Sequence, residues 1–347
     1  MSRHTVIGIT RDVINASGEF IAPGPGLALL DEMDGVQYEL FSGPLKEVLA
    51  QEIQGYDMVF SLTPSWTADS VKGAAQLLCV HRFGVGYDMI DVPALTEAGV
   101  LLCITPDAVR RPVAGAILTF IMALSTRLLV KDRLVREGRS SERARFHGIG
   151  LVGKTLGVIG VGNIGHEVFR LTAPLGMRHL GCDPYITQES VDDVGVKLVD
   201  METILAESDF LSVSCPLNDE THHLIGEEEL KKMKPTSFLI NTARGPVVDE
   251  TALIRALSEG WIQGAGLDVF DPEPPEKDNP LLMMDNVVLA PHALGWLDQT
   301  FAGMWDIILG QMNALRRGEV PAGVVNPGVW ESPLFRGKLK AFLEAAT

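Results

Sequence analysis

The stretch Thr155-Leu-Gly-Val-Ile-Gly160-Val-Gly162-Asn-Ile-Gly165 decides the fold. Residues 156–159 form a short apolar run, glycines follow at G-x-G-x-x-G spacing, and a helix-like stretch opens at Ile164. Glycine supplies 35 of the 347 residues, so the glycine pattern alone arises easily by chance. Its flanks give it weight. A strand, a tight turn and a helix whose first amides can bind a pyrophosphate are what a dinucleotide-binding βαβ unit requires. The next run, 179–182, ends in Asp183, 18 residues beyond Gly165, near the spacing at which a carboxylate accepts from ribose hydroxyls. Asp183 would repel a 2'-phosphate, and Pro184 and Tyr185 behind it supply no cation, so NAD is favoured over NADP. The bland reading, a strand-turn-helix with a solvated Asp, fits this pattern less well.

Outward from the fingerprint, runs at 155–159, 179–183, 210–214, 237–241, 264–269 and 286–290 predict the six strands of a doubly wound sheet. Upstream, runs at 6–10, 59–62, 77–80 and 100–104 alternate with helix-like stretches such as 43–54, which predicts a second α/β region. Proline disfavours helix in the residue before it and suits a helix start, so Arg111-Pro112 reads as a domain boundary. A helix from Pro112 toward Arg136 leaves the first region, and a second apolar helix at about 300–316 returns to it. The expected architecture is α/β with two domains. Residues 113–297 form a Rossmann doubly wound parallel sheet that binds NAD, and residues 1–112 with 298–347 form a discontinuous, flavodoxin-like substrate domain. The Pro- and Gly-rich tail from Gly318 is expected to lie over the surface.

Composition narrows the function classes. Lys plus Arg number 29 against 45 Asp plus Glu, a net charge of -16 that phosphate backbones and anionic membranes would repel. Neither nucleic acid nor membrane is an expected partner. The longest apolar run, 113–124, is too short for a bilayer span of about twenty residues and reads as a buried helix. The start reads as a strand rather than a secretory leader, and the expected compartment is the cytoplasm. Cys79, Cys103, Cys182 and Cys215 show no Cys-x-x-Cys pairing, so buried reduced thiols are expected and no metal.

Three residues carry chemistry: Arg244 in Asn-Thr-Ala-Arg-Gly-Pro, Glu273 in Asp-Val-Phe-Asp-Pro-Glu-Pro-Pro, and His292 in Ala-Pro-His-Ala-Leu-Gly. Arg244 and His292 each follow a strand candidate, where ligands of open α/β sheets gather. Alone, each of the three has a plainer reading: an exposed Arg, a solvated Glu, a structural His. Together they suit hydride transfer to a 2-oxo acid. An Arg fork pairs with a carboxylate through two hydrogen bonds, and a carboxylate beside an imidazole favours its charged form and fixes its tautomer.

The chain resembles the D-2-hydroxyacid dehydrogenases, the group that includes glycerate, lactate, phosphoglycerate, formate and phosphite dehydrogenases. The likeness runs through Arg82-Phe-Gly-Val-Gly-Tyr-Asp-Met-Ile-Asp91, the fingerprint with its leading Gly153-Lys-Thr-Leu, Cys215-Pro-Leu-Asn-Asp-Glu-Thr221, Asn241 to Pro246, Gly266-Leu-Asp-Val-Phe-Asp-Pro-Glu-Pro274 and Pro291-His292. It implies that His292 protonates the substrate carbonyl, Glu273 holds and charges His292, and Arg244 binds the carboxylate, joined by the amides of Val85 and Gly86. Cofactor contacts are implied for Gly160, Gly162, Asn163, Ile164, Gly165, Asp183, Cys215, Pro216, Thr221, Thr242, Ala243, Arg244, Asp268 and His292. The implied function is NAD-dependent interconversion of a small D-2-hydroxy acid and its 2-oxo acid, in a homodimer built on the cofactor domain with residues 139–147 reaching across. The alternative is a non-catalytic NAD(H)-sensing scaffold, which would need no proton donor. Formate chemistry fits less well, since it releases no hydroxyl proton, and the residues after Gly318 are too few for a regulatory domain of about fifty residues.

Two departures bear on substrate. Relatives commonly read Val-Ala-Glu where this chain has Val113-Ala114-Gly115, preceded by Arg110 and Arg111. Leu294-Gly295-Trp296 stands where relatives carry small residues and a Ser or Thr. Trp296 or Trp66 is a candidate wall of the side-chain pocket. Arg110 or Arg111 is a candidate for a second anionic group, although a solvated helix approach is the commoner fate of such residues.

Overall fold

A computed structural model describes residues 3–15, 17–22 and 26–346. The chain divides into two compact units, Met1–Val109 with Leu297–Thr347, and Arg110–Trp296.

In the first unit, β1 (Thr5–Ile9), β2 (Val36–Leu40), β3 (Met58–Ser61), β4 (Cys79–Arg82) and β5 (Leu101–Cys103) form a parallel sheet in the order β2-β1-β3-β4-β5. That is the flavodoxin-like order. The central strands are apolar on both faces because both are covered. Val59, Val80 and Leu102 pack with Phe41, Val48, Trp66 and Leu95. Phe60 and Phe83 instead meet Trp305 edge-on, from the helix Asp298–Arg316. Later segments complete this sheet. Gln311 reaches His81, and Asn326 accepts from the Leu102 amide at 2.9 Å and donates to the Val100 carbonyl at 3.0 Å.

The second unit contains β6 (Thr155–Ile159), β7 (Arg178–Cys182), β8 (Lys197–Leu198), β9 (Phe210–Val213), β10 (Phe238–Asn241), β11 (Gly264–Leu267) and β12 (Val287–Leu289), ordered β12-β11-β10-β9-β6-β7-β8 and all parallel. The strand order reverses beside β6, which is the switch point of a doubly wound sheet and the place where such sheets bind ligands. Successive residues alternate between two cores, as a pleated strand requires. Phe238 and Ile240 join Ile117, Phe120 and Ile121 on one face, whereas Leu239 joins Leu253, Ala256 and Leu257 on the other. Burying each such large side chain stabilises the unit by about 1.5–3 kcal/mol.

Several expectations need correction. Residues 43–54 form no helix: they run as loop backbone with a bridge from Glu47 to Ser65 and turns from 50, and Val48 and Ile53 are buried from that backbone. Pro112 lies inside the helix Pro106–Thr126 rather than at its start, and that helix ends at Arg127, whose left-handed backbone separates it from the helix Leu128–Arg136. The tail is not a surface coil. It ends in the helix Pro333–Ala346, which buries Phe335, Leu339 and Phe342 and sends the Lys338 ammonium to the carbonyls of Leu77, Ala98 and Gly99. Trp66 is 1 % exposed and donates to Ser61 Oγ at 3.1 Å, so it is core and walls no pocket. One helix among the described residues, Pro106–Thr126, is long and apolar enough to cross a membrane, but 61 % of its apolar window is buried in the protein.

Candidate active site

The loops that leave β6, β10, β11 and β12 at their carboxyl ends carry the glycine turn, Arg244, Glu273 and His292, all within the second unit. At the first, Gly160 has φ +87, and a Cβ there would lie 2.5 Å from the Cys215 amide nitrogen. Only glycine lets the turn approach the β9 loop so closely. The helix Asn163–Thr172 starts at Gly162, where no side chain caps it and an added Cβ would meet nothing within 4 Å. Uncapped amides facing open space fit a pyrophosphate. At the end of β7, Asp183 accepts from the amides of Val161 and Tyr185, both at 2.9 Å, which orients its carboxylate beside that loop. These residues fit a dinucleotide. Across the turn, Thr221 donates to the Pro216 carbonyl at 2.6 Å, and burial pushes the Cys215 thiol up to about 11. Cys215 is therefore a neutral wall residue.

Arg244, Glu273 and His292 follow three strands that lie side by side, β10, β11 and β12, and the pairing of Leu267 with Leu289 brings the last two loops together. His292 Nδ1 donates to Glu273 Oε1 at 2.7 Å. A carboxylate only accepts, so Nδ1 carries the hydrogen and Nε2 is left to exchange a proton with a ligand. Burial alone would raise the Glu273 carboxyl. The hydrogen bond and charge of His292, helped by the Phe270 amide and the Arg244 charge, outweigh burial and hold that carboxyl below its usual value. Glu273 thus stays ionised at neutral pH. Its stabilising contribution is complete above the ordinary carboxylate range and fades as pH falls through the depressed value.

The backbone around these side chains is tightly determined. His292 has φ 56, a left-handed conformation that costs a non-glycine residue about 1–3 kcal/mol. Asp268 holds it there: its buried carboxylate accepts from the amides of Ala293 at 3.0 Å and Leu294 at 3.3 Å. Burial raises the Asp268 carboxyl, against those two amides. Asn241, 1 % exposed, fixes the Arg244 turn by accepting from the Ala243 amide at 3.0 Å and donating to the Arg244 carbonyl at 2.8 Å. The Arg244 guanidinium donates to the Ala243 carbonyl at 2.7 Å. Gly245 lies directly against Phe270 of the Glu273 loop; a Cβ there would fall 1.8 Å from the Phe270 carbonyl oxygen.

Sequence reasoning placed Asn241 only as a strand end, and its positioning role went unread. The signal was a polar residue closing an otherwise apolar strand. Arg111 donates to the buried Glu167 carboxylate while its own side chain stays 66 % exposed. Val85 and Gly86 lie just beyond β4 in the first unit and are half-buried.

A dinucleotide cradle, an imidazole held by a carboxylate and a neighbouring guanidinium define a pyridine-nucleotide oxidoreductase of hydroxy acids. The match to known proteins is specific. Residues 118–293 fit the family model described as D-isomer specific 2-hydroxyacid dehydrogenase, NAD binding domain. A glyoxylate reductase of Korarchaeum cryptofilum is 41 % identical over 82 % of this chain and 87 % of its own, and one of Thermococcus litoralis is 37 % identical over 89 % and 96 %. The structure of a D-lactate dehydrogenase of Aquifex aeolicus with NAD and lactic acid matches with a TM-score of 0.79 at 26 % identity, covering 90 % of this chain and 96 % of that one. The chain belongs to the D-isomer specific 2-hydroxyacid dehydrogenase family and interconverts 2-hydroxy and 2-oxo acids with a nicotinamide cofactor.

Proposed function

We propose that the protein reduces a small 2-oxo acid of the glyoxylate and hydroxypyruvate class, with NADH, through Arg244, Glu273 and His292. The observation that carries this reading is the 2.7 Å bond between His292 and Glu273 beside the Arg244 loop. When bound, the nicotinamide supplies the hydride for reduction and accepts it in the reverse direction. Arg244 holds the substrate carboxylate through its fork and polarises the carbonyl. His292 gives the Nε2 proton to the carbonyl oxygen as the carbonyl carbon is reduced; in oxidation the neutral ring takes the hydroxyl proton back. Glu273 keeps the hydrogen on Nδ1 and so fixes the tautomer and aim of the ring. For Val85 and Gly86 the role of carboxylate-binding amides rests on family likeness alone, as do the cofactor contacts of Asn163, Ile164, Pro216, Thr221, Thr242, Ala243 and Asp268. Trp296, 49 % exposed and four residues beyond His292, is assigned to the substrate's side-chain pocket.

Glu273→Gln keeps the shape and removes the charge. Without the carboxylate the ring loses its fixed tautomer and orientation, and kcat for reduction should fall at least about tenfold. Steady-state kinetics of the variant with kcat unchanged would contradict the role given to Glu273.

Asp183 supports NAD over NADP, since a 2'-phosphate would meet a carboxylate already fixed by two amides. A panel of 2-oxo acids assayed with both cofactors tests substrate and cofactor together. The expected outcome is rapid turnover of a two- or three-carbon acid with NADH and at least about tenfold less with NADPH, the discrimination worth about 1.4 kcal/mol. Equal rates with both cofactors would reject the Asp183 assignment, and turnover only of larger acids would reject the substrate class.

A homodimer through the second unit is part of this reading. The helix Leu128–Arg136 leaves Leu128, Leu129 and Val135 exposed, and light scattering checks the mass in solution. Four free cysteines accord with a reducing cytoplasm. The net charge of -16 argues against nucleic acid and anionic membranes as partners.

A further inference from the structure

Cys79 and His81 are two residues apart on β4 and share one face of the sheet; Cys103 on β5 lies directly opposite His81. All three are 0 % exposed. One ligand atom from each lies within 4.8 Å of the others, and the two sulfurs are 3.5 Å apart. Arg244, Glu273 and His292 belong to the other unit, and none of them is in this cluster.

The imidazole is set up in an unusual way. Gln311 Nε2 donates to the Ile104 carbonyl at 2.8 Å, which turns Gln311 Oε1 toward the ring. That oxygen only accepts, so His81 Nδ1, 2.9 Å away, carries the hydrogen. Full burial disfavours the charged ring, so with Nδ1 donating to Gln311 the ring is neutral and Nε2 is a bare lone pair. Among the described residues Nε2 has no hydrogen-bond partner. A buried acceptor left unsatisfied is rare and costly. An imidazole whose other nitrogen donates to a carbonyl oxygen is the arrangement that metal-ligating histidines use.

We propose that Cys79, Cys103 and His81 form a closed binding site for one soft, low-coordinate cation of the cuprous class. Sulfur is a soft donor and imidazole suits copper, and no carboxylate belongs to the cluster. Closed zinc sites take four protein ligands, whereas three are present here. Charge also selects a monovalent ion. On binding, one thiol gives its proton to solvent, its thiolate neutralises the cation, and the second sulfur binds as a thiol, so the core carries no net charge and nothing is oxidised or reduced.

The test is metal content, with no dependence on turnover. Protein purified from copper-supplemented cells, and protein loaded anaerobically with Cu(I), is challenged with the chelator bathocuproine disulfonate. The wild type and Cys182→Ser should retain copper in stoichiometric amount, with an X-ray absorption spectrum of sulfur and nitrogen ligands. The double variant Cys79→Val, Cys103→Val should retain none, and Gln311→Leu should weaken retention about 10–100-fold. If the double variant does not fold, Cys103→Ser alone gives the same comparison. Copper absent from the wild type by both routes, or retained equally without Cys79 and Cys103, would overturn the site.

Discussion

His292→Ala should lower kcat for 2-oxo acid reduction by about 10²–10⁴-fold, the usual worth of a positioned general acid. Cofactor affinity should change little, because the glycine turn and Asp183 are built from other loops. The contrast is the informative part. A general fall in stability would weaken NADH binding as well, whereas loss of the proton donor leaves a protein that binds and does not turn over. Fluorescence titration with NADH beside steady-state rates separates the two. A variant with more than about a tenth of wild-type kcat would mean that another group supplies the proton, and the reading of the Glu273–His292 pair would fall with it.

Gly245→Ala should be the most damaging single methyl in the second unit. Its Cβ would stand 1.8 Å from the Phe270 carbonyl oxygen and 2.1 Å from the carbonyl carbon, both backbone atoms that cannot swing aside. Relief requires the Arg244 and Glu273 loops to part. Overpacking of this kind costs about 1–3 kcal/mol, which for a unit of this size lowers Tm by roughly 2–12 °C. Activity should suffer more than stability, since displacing a catalytic group by about 1 Å costs on the order of 100-fold in kcat/KM. Gly310→Ala is the natural control. It lies mid-helix with nothing within 4 Å of an added Cβ and should stabilise by about 0.4–1 kcal/mol. Calorimetry showing equal effects for the two substitutions would mean that the close approach at Gly245 is not what fixes the loops.

The second unit was the more legible half, for a physical reason. Strands covered on both faces read as continuous apolar runs, and 210–214 and 237–241 stand out accordingly. Edge strands do not. Val36–Leu40 alternates half-buried and exposed residues, and Lys197–Leu198 is only two residues long, so neither carries an unbroken apolar signal. Residues 43–54 misled because Leu45, Val48, Leu49 and Ile53 have helical spacing, yet the chain buries Val48 and Ile53 from loop backbone. For the candidate site, Glu273 and His292 were readable as partners because a carboxylate beside an imidazole suits proton transfer and their motifs match the family, whereas the adjacency of β11 and β12 belongs to the fold. What no linear reading shows is depth of contact: the Gly245 approach to Phe270, the buried Asn241 and the meeting of Cys79 with Cys103 depend on side-chain packing across strands.

Asn326 and Gln311 have a consequence for how the chain is made. The sheet that begins at Thr5 draws buried partners from segments beyond residue 297, so on the ribosome its early strands emerge long before the residues that satisfy Leu102 and His81. Residues 110–296, by contrast, are one unbroken stretch containing all seven strands of their own sheet. The later-starting half of the nascent protein is thus the first able to finish folding, and the amino-terminal strands must wait, apolar and incomplete, for translation to reach their partners.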